Sequence, residues 1–201
     1  MAALTHLDLT YVQYTLDSHV SFLLAHVTLL PFVTLSAYAA LVYFNRDAVI
    51  LNAFAGQLAN EGLNLVLKRL FRIRRQTIGN GYGMPSSHAQ FAAYTATFIL
   101  LHQYTRLGRV DLQAWCACAV ALLVAYSRHH LSYHTTNQII VGWAIGALFA
   151  VFYFNLTEVS CGLRVRRKSL LGKLCGMLRH TRLFIVHTLS LNDPTLSIRR
   201  S

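Results

Sequence analysis

Apolar and polar residues alternate in long blocks along this chain, and five apolar stretches stand between short polar or basic breaks. They run from about Val20 to Phe44, Ala48 to Leu67, Ala89 to Tyr104, Leu112 to Tyr126 and Ile139 to Phe154. Blocks of this kind predict helices that cross a bilayer. Several fall short of the ~20 apolar residues a span needs. Flanking residues that snorkel, or polar helix extensions, complete such spans. A sixth patch, Leu183 to Leu191, is too short to cross and is expected in the membrane interface. The second stretch is unusually polar. Its Gln57, Asn60, Glu61, Asn64 and Lys68 recur at three- and four-residue steps, which is one helix face. Polar groups at membrane depth face a bundle interior or a wet cavity. Hydrogen bonding between helices is the plainer reading of that stripe, and its end at Lys68 also suits it to orient the lysine.

Composition sharpens the class. Of 201 residues 55% are hydrophobic and 12% charged, about half the charged share of an ordinary soluble domain. The mean hydropathy is +0.43. The expected fold is all-α, a polytopic membrane bundle of about five transmembrane helices. The net charge of +11 is unevenly placed, with Arg166, Arg167, Lys168, Lys173, Arg179 and Arg182 all late in the chain. A basic segment beside an apolar helix belongs against an anionic cytoplasmic leaflet. Five spans then put the N-terminus on the other side, where Asp8 and Asp17 stand without Lys or Arg. The layout is a non-cytoplasmic segment 1–19, a transmembrane domain 20–157 and a basic cytoplasmic tail 158–201. The loop holding Lys68, Arg69, Arg72, Arg74 and Arg75 would lie on the non-cytoplasmic side, against the positive-inside tendency. Its charges therefore serve something besides topology.

No nucleic-acid partner is expected, because the chain is too apolar and has no matching fold signature. Cys116, Cys118, Cys161 and Cys175 lack zinc-ligand spacing with partner histidines and read as packing residues or free thiols. No basic n-region precedes the first apolar run, so no cleaved signal peptide is expected. Gly142 and Gly146 allow helix dimerisation, though close packing within one bundle is preferred.

Three polar clusters sit at the ends of these stretches. The first holds Lys68 and Arg75. Arginine makes bidentate contacts to phosphate, and lysine acts as a point charge. Taken alone, the pair reads as a lipid-headgroup anchor. The second, Pro85-Ser86-Ser87-His88, begins a helix. Its proline suits the first turn, its serine a cap, and its open backbone N–H groups an anion. Gly79, Gly81 and Gly83 before it form either a lid or a connection. The third cluster runs from Ser127-Arg128 to His134, with Thr135 and Thr136 as capping hydroxyls. A histidine at a helix N-terminus is kept neutral by the dipole and so able to act as a nucleophile. His129 and His130 lie nearby, so a count of histidines does not select His134.

Order and spacing carry more than any one cluster. The chain reads Lys68, six residues, Arg75, then Pro85-Ser86-Ser87-His88, then Ser127-Arg128, five residues, His134, three residues, Gln138. This arrangement resembles the type 2 phosphatidic acid phosphatase superfamily, whose pattern is Lys-x6-Arg-Pro, Pro-Ser-Gly-His and Ser-Arg-x5-His-x3-Asp. Three positions depart from it: Gln76 stands for the proline, Ser87 for the glycine and Gln138 for the aspartate. The resemblance implies catalysis by His134 and His88, with phosphate binding by Lys68, Arg75, Ser86, Ser87 and Arg128. It gives Gln138 the orienting position beside His134, where its amide oxygen accepts a hydrogen bond but supplies no charge. No metal and no cofactor are implied.

The small size, the Ser87 variant and the glutamine are most similar to the dolichyl pyrophosphate phosphatases within that superfamily. That likeness implies a polyprenyl (dolichyl) diphosphate substrate and a multi-pass endoplasmic reticulum membrane location. It also implies a luminal site and a role in recycling the N-glycosylation carrier. Another lipid phosphate, or a catalytically inactive membrane scaffold, is the competing reading.

Overall fold

The computed structural model describes residues 4–7, 12–15, 18–74, 81–159 and 170–193. Seven α-helices account for most of them: α1 His19–Val27, α2 Leu30–Asn45, α3 Ala48–Phe71, α4 Ser87–Leu107, α5 Leu112–His130, α6 Thr136–Phe154 and α7 Leu170–Thr188. A π-helical turn, Asn155–Val159, prolongs α6. The result is a helical membrane bundle. Among the described residues two stretches are long and apolar enough to cross a membrane, His19–Asn45, which holds α1 and α2, and Thr136–Glu158. The helices α3, α4 and α5 are of spanning length but carry the polar groups described below.

Two features differ from the sequence expectation. The first apolar stretch is broken into α1 and α2 at Thr28–Leu29. Pro31 has no N–H to donate to the carbonyl of Val27, and its ring crowds that carbonyl, so one continuous helix cannot form there. Thr28 Oγ1 donates instead to the Ala25 carbonyl at 2.6 Å and closes the end of α1. An antiparallel hairpin, β1 Leu4–Leu7 and β2 Val12–Thr15, also precedes the bundle. Its Val12 packs with Leu24, Ala25, Leu131 and Tyr133.

The polar stripe of α3 ties α3 to α4. Asn64 Nδ2 donates to Gln90 Oε1 at 2.7 Å, and Gln90 Nε2 donates to Asn60 Oδ1 at 2.8 Å. Thr95 Oγ1 donates to Gln57 Oε1 at 3.1 Å. Gln57, Asn60, Asn64 and Gln90 are buried, where an unmade hydrogen bond is costly, so the network holds the two helices in register. Small residues bring the helices close enough. A Cβ on Gly146 would stand 2.1 Å from the Gln90 carbonyl oxygen, and one on Gly142 2.6 Å from that of Ser86. The two glycines thus serve α4–α6 packing inside the bundle. Tyr38, Val49, Ala53, Tyr94, Phe98 and Phe154 fill the apolar core away from that end.

The loops separate into two ends. The end of α3, the start of α4, the α5–α6 loop and the hairpin meet at one. The α2–α3 corner, the α4–α5 loop and α7 meet at the other. There Arg182 bonds Glu158 Oε1 at 2.9 Å and Asp193 Oδ2 at 2.8 Å, while Arg106 reaches Glu158 Oε2 at 3.4 Å. Asn192 N–H donates to the Arg46 carbonyl at 2.6 Å, so the end of α7 is pinned to the α2–α3 corner.

Candidate active site

The site is assembled from the ends of α3 and α5 and the starts of α4 and α6. Lys68 lies in the last turn of α3, where a cation complements the helix dipole. Its Nζ donates to Ser87 Oγ. The serine that departs from the family's glycine therefore joins the end of α3 to the start of α4.

Ser86 is the N-cap of α4, yet its side chain makes no capping bond. The hydroxyl is fully buried and has no hydrogen-bond partner among the described residues. The backbone N–H of Ser86 is engaged, donating to the Gln138 carbonyl at 3.2 Å. This is the contact that Gly142 permits. The open backbone donors are the next three, Ser87, His88 and Ala89, which have no acceptor within the helix. Pro85 stands one residue ahead of the cap rather than in the first turn.

Near the opposite wall, Arg128 and His134 are brought together by a tight connection. Tyr133 N–H and His134 N–H both donate to the Arg128 carbonyl, at 3.2 and 3.3 Å. Arg128 is 3% exposed and His134 6% exposed. The positive φ of 56° at Ser132 turns the chain between them. Neighbouring histidines are placed differently: His129 is exposed, and His130 Nε2 faces Ser21 Oγ on α1 at 3.3 Å.

Gln138 fixes the ring of His134. Its Oε1 lies 3.1 Å from His134 Nδ1 and accepts the Thr135 N–H at 3.3 Å. A backbone N–H can only donate, so the Gln138 atom they share is the oxygen. Nδ1 must then carry the proton, and Nε2 keeps its lone pair. The Gln138 N–H donates back to Thr135 Oγ1 at 3.4 Å, which completes a capping box. One side chain thus caps α6 and sets the tautomer of the preceding histidine. His88, half-buried in the first turn of α4, lies within direct electrostatic reach of Arg128, His134 and Lys68 and close to the Thr28 backbone. Arg75 and Gln76 lie outside the described residues, as does Gly79.

Sequence reasoning missed Tyr133. Its ring lies under the Arg128 guanidinium, 4.2 Å from ring centroid to Cζ. Its hydroxyl accepts the Gln13 N–H of the hairpin at 2.7 Å. A tyrosine among the five residues between Arg128 and His134 carried no spacing signal. Only the fold shows that it supports the arginine. Gln90 was missed for the same reason.

The family model for the PAP2 superfamily matches residues 49–160, more than half of the chain. The chain belongs to the PAP2 superfamily. This PAP2 protein is accordingly a hydrolase. It is 34% identical to the dolichyldiphosphatase of Saccharomyces cerevisiae, over 76% of this chain and 70% of that protein. It is 32% identical to a putative dolichyldiphosphatase of Neurospora crassa, over 85% and 82% of the two chains. Dolichyldiphosphatase 1 of Homo sapiens is 30% identical over 75% of this chain and 70% of its own. Among solved structures, a transmembrane PAP2 phosphatidylglycerolphosphate phosphatase of Bacillus subtilis superimposes with a TM-score of 0.57 at 19% identity. It covers 75% of this chain and 80% of that one, a likeness of fold.

Proposed function

We propose that this PAP2 protein is a lipid phosphatase that hydrolyses dolichyl diphosphate to dolichyl phosphate and inorganic phosphate. The observation that carries the reading is the His134 imidazole. It is buried, is tied at Nδ1 to Gln138, and lies within electrostatic reach of His88, itself close to Arg128 and Lys68. The substrate follows from relatives named dolichyldiphosphatase that align over most of both chains.

In the first step His134 Nε2 attacks the terminal phosphorus. A phosphorus–nitrogen bond forms and the bond to the bridging oxygen breaks. His88 gives its proton to the departing dolichyl phosphate. In the second, His88 takes a proton from water, whose oxygen attacks the phosphohistidine. The phosphorus–nitrogen bond breaks and inorganic phosphate leaves. Lys68, Arg75 and Arg128 offset charge on the transferred group, while the Ser86 hydroxyl and the open amides of α4 donate to its oxygens. The protein resides in the endoplasmic reticulum membrane with this end toward the lumen, where it returns the lipid carrier to N-glycosylation.

Phosphate release from the purified protein tests this, with dolichyl diphosphate and phosphatidate compared in the presence of EDTA. The expected result is preferred, chelator-resistant turnover of the diphosphate. His134→Ala should abolish turnover and any acid-labile phosphoenzyme. Faster turnover of phosphatidate would change the substrate, and a strict need for added magnesium would refute the mechanism.

A further inference from the structure

A groove of about 200 Å³ opens between α2, α4 and α5, on the membrane flank of the bundle. Its upper end adjoins the site on three elements at once. Phe91 follows His88 by three residues, about 4.5 Å of helix rise. Val124 precedes Arg128 by four residues, about 6 Å. Leu30 comes two residues after Thr28, whose backbone adjoins the His88 ring. From Val124 the groove runs down α5 to Cys116, a distance of eight residues or about 12 Å.

We propose that this groove holds the isoprenoid chain of the substrate, an inference that rests on the polyprenyl diphosphate reading above. The walls suit that ligand. Small residues, Ala92 on α4 and Ala117 and Ala121 on α5, leave the space unfilled. The two hydroxyls that border it are already bonded to protein, Thr34 to the Leu30 carbonyl at 2.8 Å and Thr95 to Gln57 at 3.1 Å. The groove therefore presents hydrocarbon to hydrocarbon. Its walls differ in burial. Phe91 and Ala96 on α4 and Ala121 and Val124 on α5 are buried, whereas Val120 and Cys116, on the lipid-facing edge of α5, are exposed. A lipid whose diphosphate sits at the membrane surface must pass its tail down into the bilayer. A slot that begins beside the headgroup site and opens along one edge of α5 has that shape.

Two measurements on the full chain test the inference. Ala117→Phe places a ring in the slot. The ratio of kcat/KM for dolichyl diphosphate to that for farnesyl diphosphate should fall by about tenfold or more. A thiol assay does not depend on the folding of that variant. In protein with Cys118, Cys161 and Cys175 replaced by Ser, a membrane-permeant maleimide modifies Cys116 in phosphatidylcholine vesicles. A methylene-bridged dolichyl bisphosphonate should slow the labelling, and its farnesyl counterpart should slow it far less. If the two analogues protect equally, or neither protects while dolichyl diphosphate is still hydrolysed, the tail lies elsewhere and the groove assignment is overturned. If protection follows phosphatidylcholine content alone, the groove is a bilayer-lipid niche and the assignment is likewise overturned. Hydrolysis of phosphatidate with none of dolichyl diphosphate would overturn the substrate reading, and the groove's occupant with it.

Discussion

Gln138 and His134 are joined side chain to side chain at 3.1 Å across one turn, Oε1 to Nδ1, in a family whose pattern has aspartate at the glutamine position. The neutral amide secures the tautomer through its second donor, the Thr135 N–H, and not through charge. Gln138→Leu removes the acceptor at similar size. Its turnover rate should drop by roughly 10–1000-fold, or about 1.4–4 kcal/mol of barrier. Gln138→Asp should keep substantial activity, since a carboxylate also accepts from Nδ1. Wild-type turnover in the leucine variant would mean that another group holds the imidazole. Thermal stability measured alongside separates this from loss of the capping box.

Tyr133 supports Arg128 through its ring and the hairpin through its hydroxyl. The two variants that separate these contacts should behave differently. Tyr133→Phe keeps the ring and should keep kcat near wild type. Tyr133→Leu loses a cation–π contact of about 0.5–2 kcal/mol, so kcat/KM should fall by roughly 2–30-fold. Equal loss in both variants would assign the effect to the hydroxyl and the hairpin instead.

At the other end, Glu158 and Asp193 are 2% and 1% exposed at their side chains, and Arg182 pairs with both. Removing Arg182 takes the nearer cation from buried Glu158, which keeps the longer Arg106 contact, and breaks the pair with Asp193. Arg182→Ala should destabilise the folded protein by about 3–5 kcal/mol, read as a lower melting temperature in detergent. Protein that remains folded should retain kcat, because the change lies at the end of the bundle away from His134. An unchanged melting temperature would show that α7 contributes little to stability.

The luminal orientation proposed above is argued from the distribution of charge along the chain. Sealed microsomes should expose a tag placed after Ser201 to added protease and shield a probe in the Gly79–Gly83 loop. The reverse pattern would put the chemistry on the cytoplasmic face and argue against the dolichol cycle.

The five helices α2 to α6, their order and the positions of the polar clusters were readable from the sequence, because each depends on local chemistry, whereas α7 lay in what read as a basic tail. Apolar blocks must become helices in lipid, where backbone groups have no other partner. His134 and Gln138 stand four positions apart, one helical turn, at the start of α6. The break after Thr28 was also local, carried by Pro31, but the continuous apolar run masked it. Contacts across the bundle were not readable. That Ser87 receives Lys68, that Gly142 lets Ser86 bond the Gln138 carbonyl, and that Tyr133 lies beneath Arg128 all depend on which helix faces meet. Hydropathy does not specify those faces, since both the lipid and the protein interior are apolar. Close approach at small residues and the buried Asn60–Asn64–Gln90 network select them, and those contacts exist only once the helices have packed.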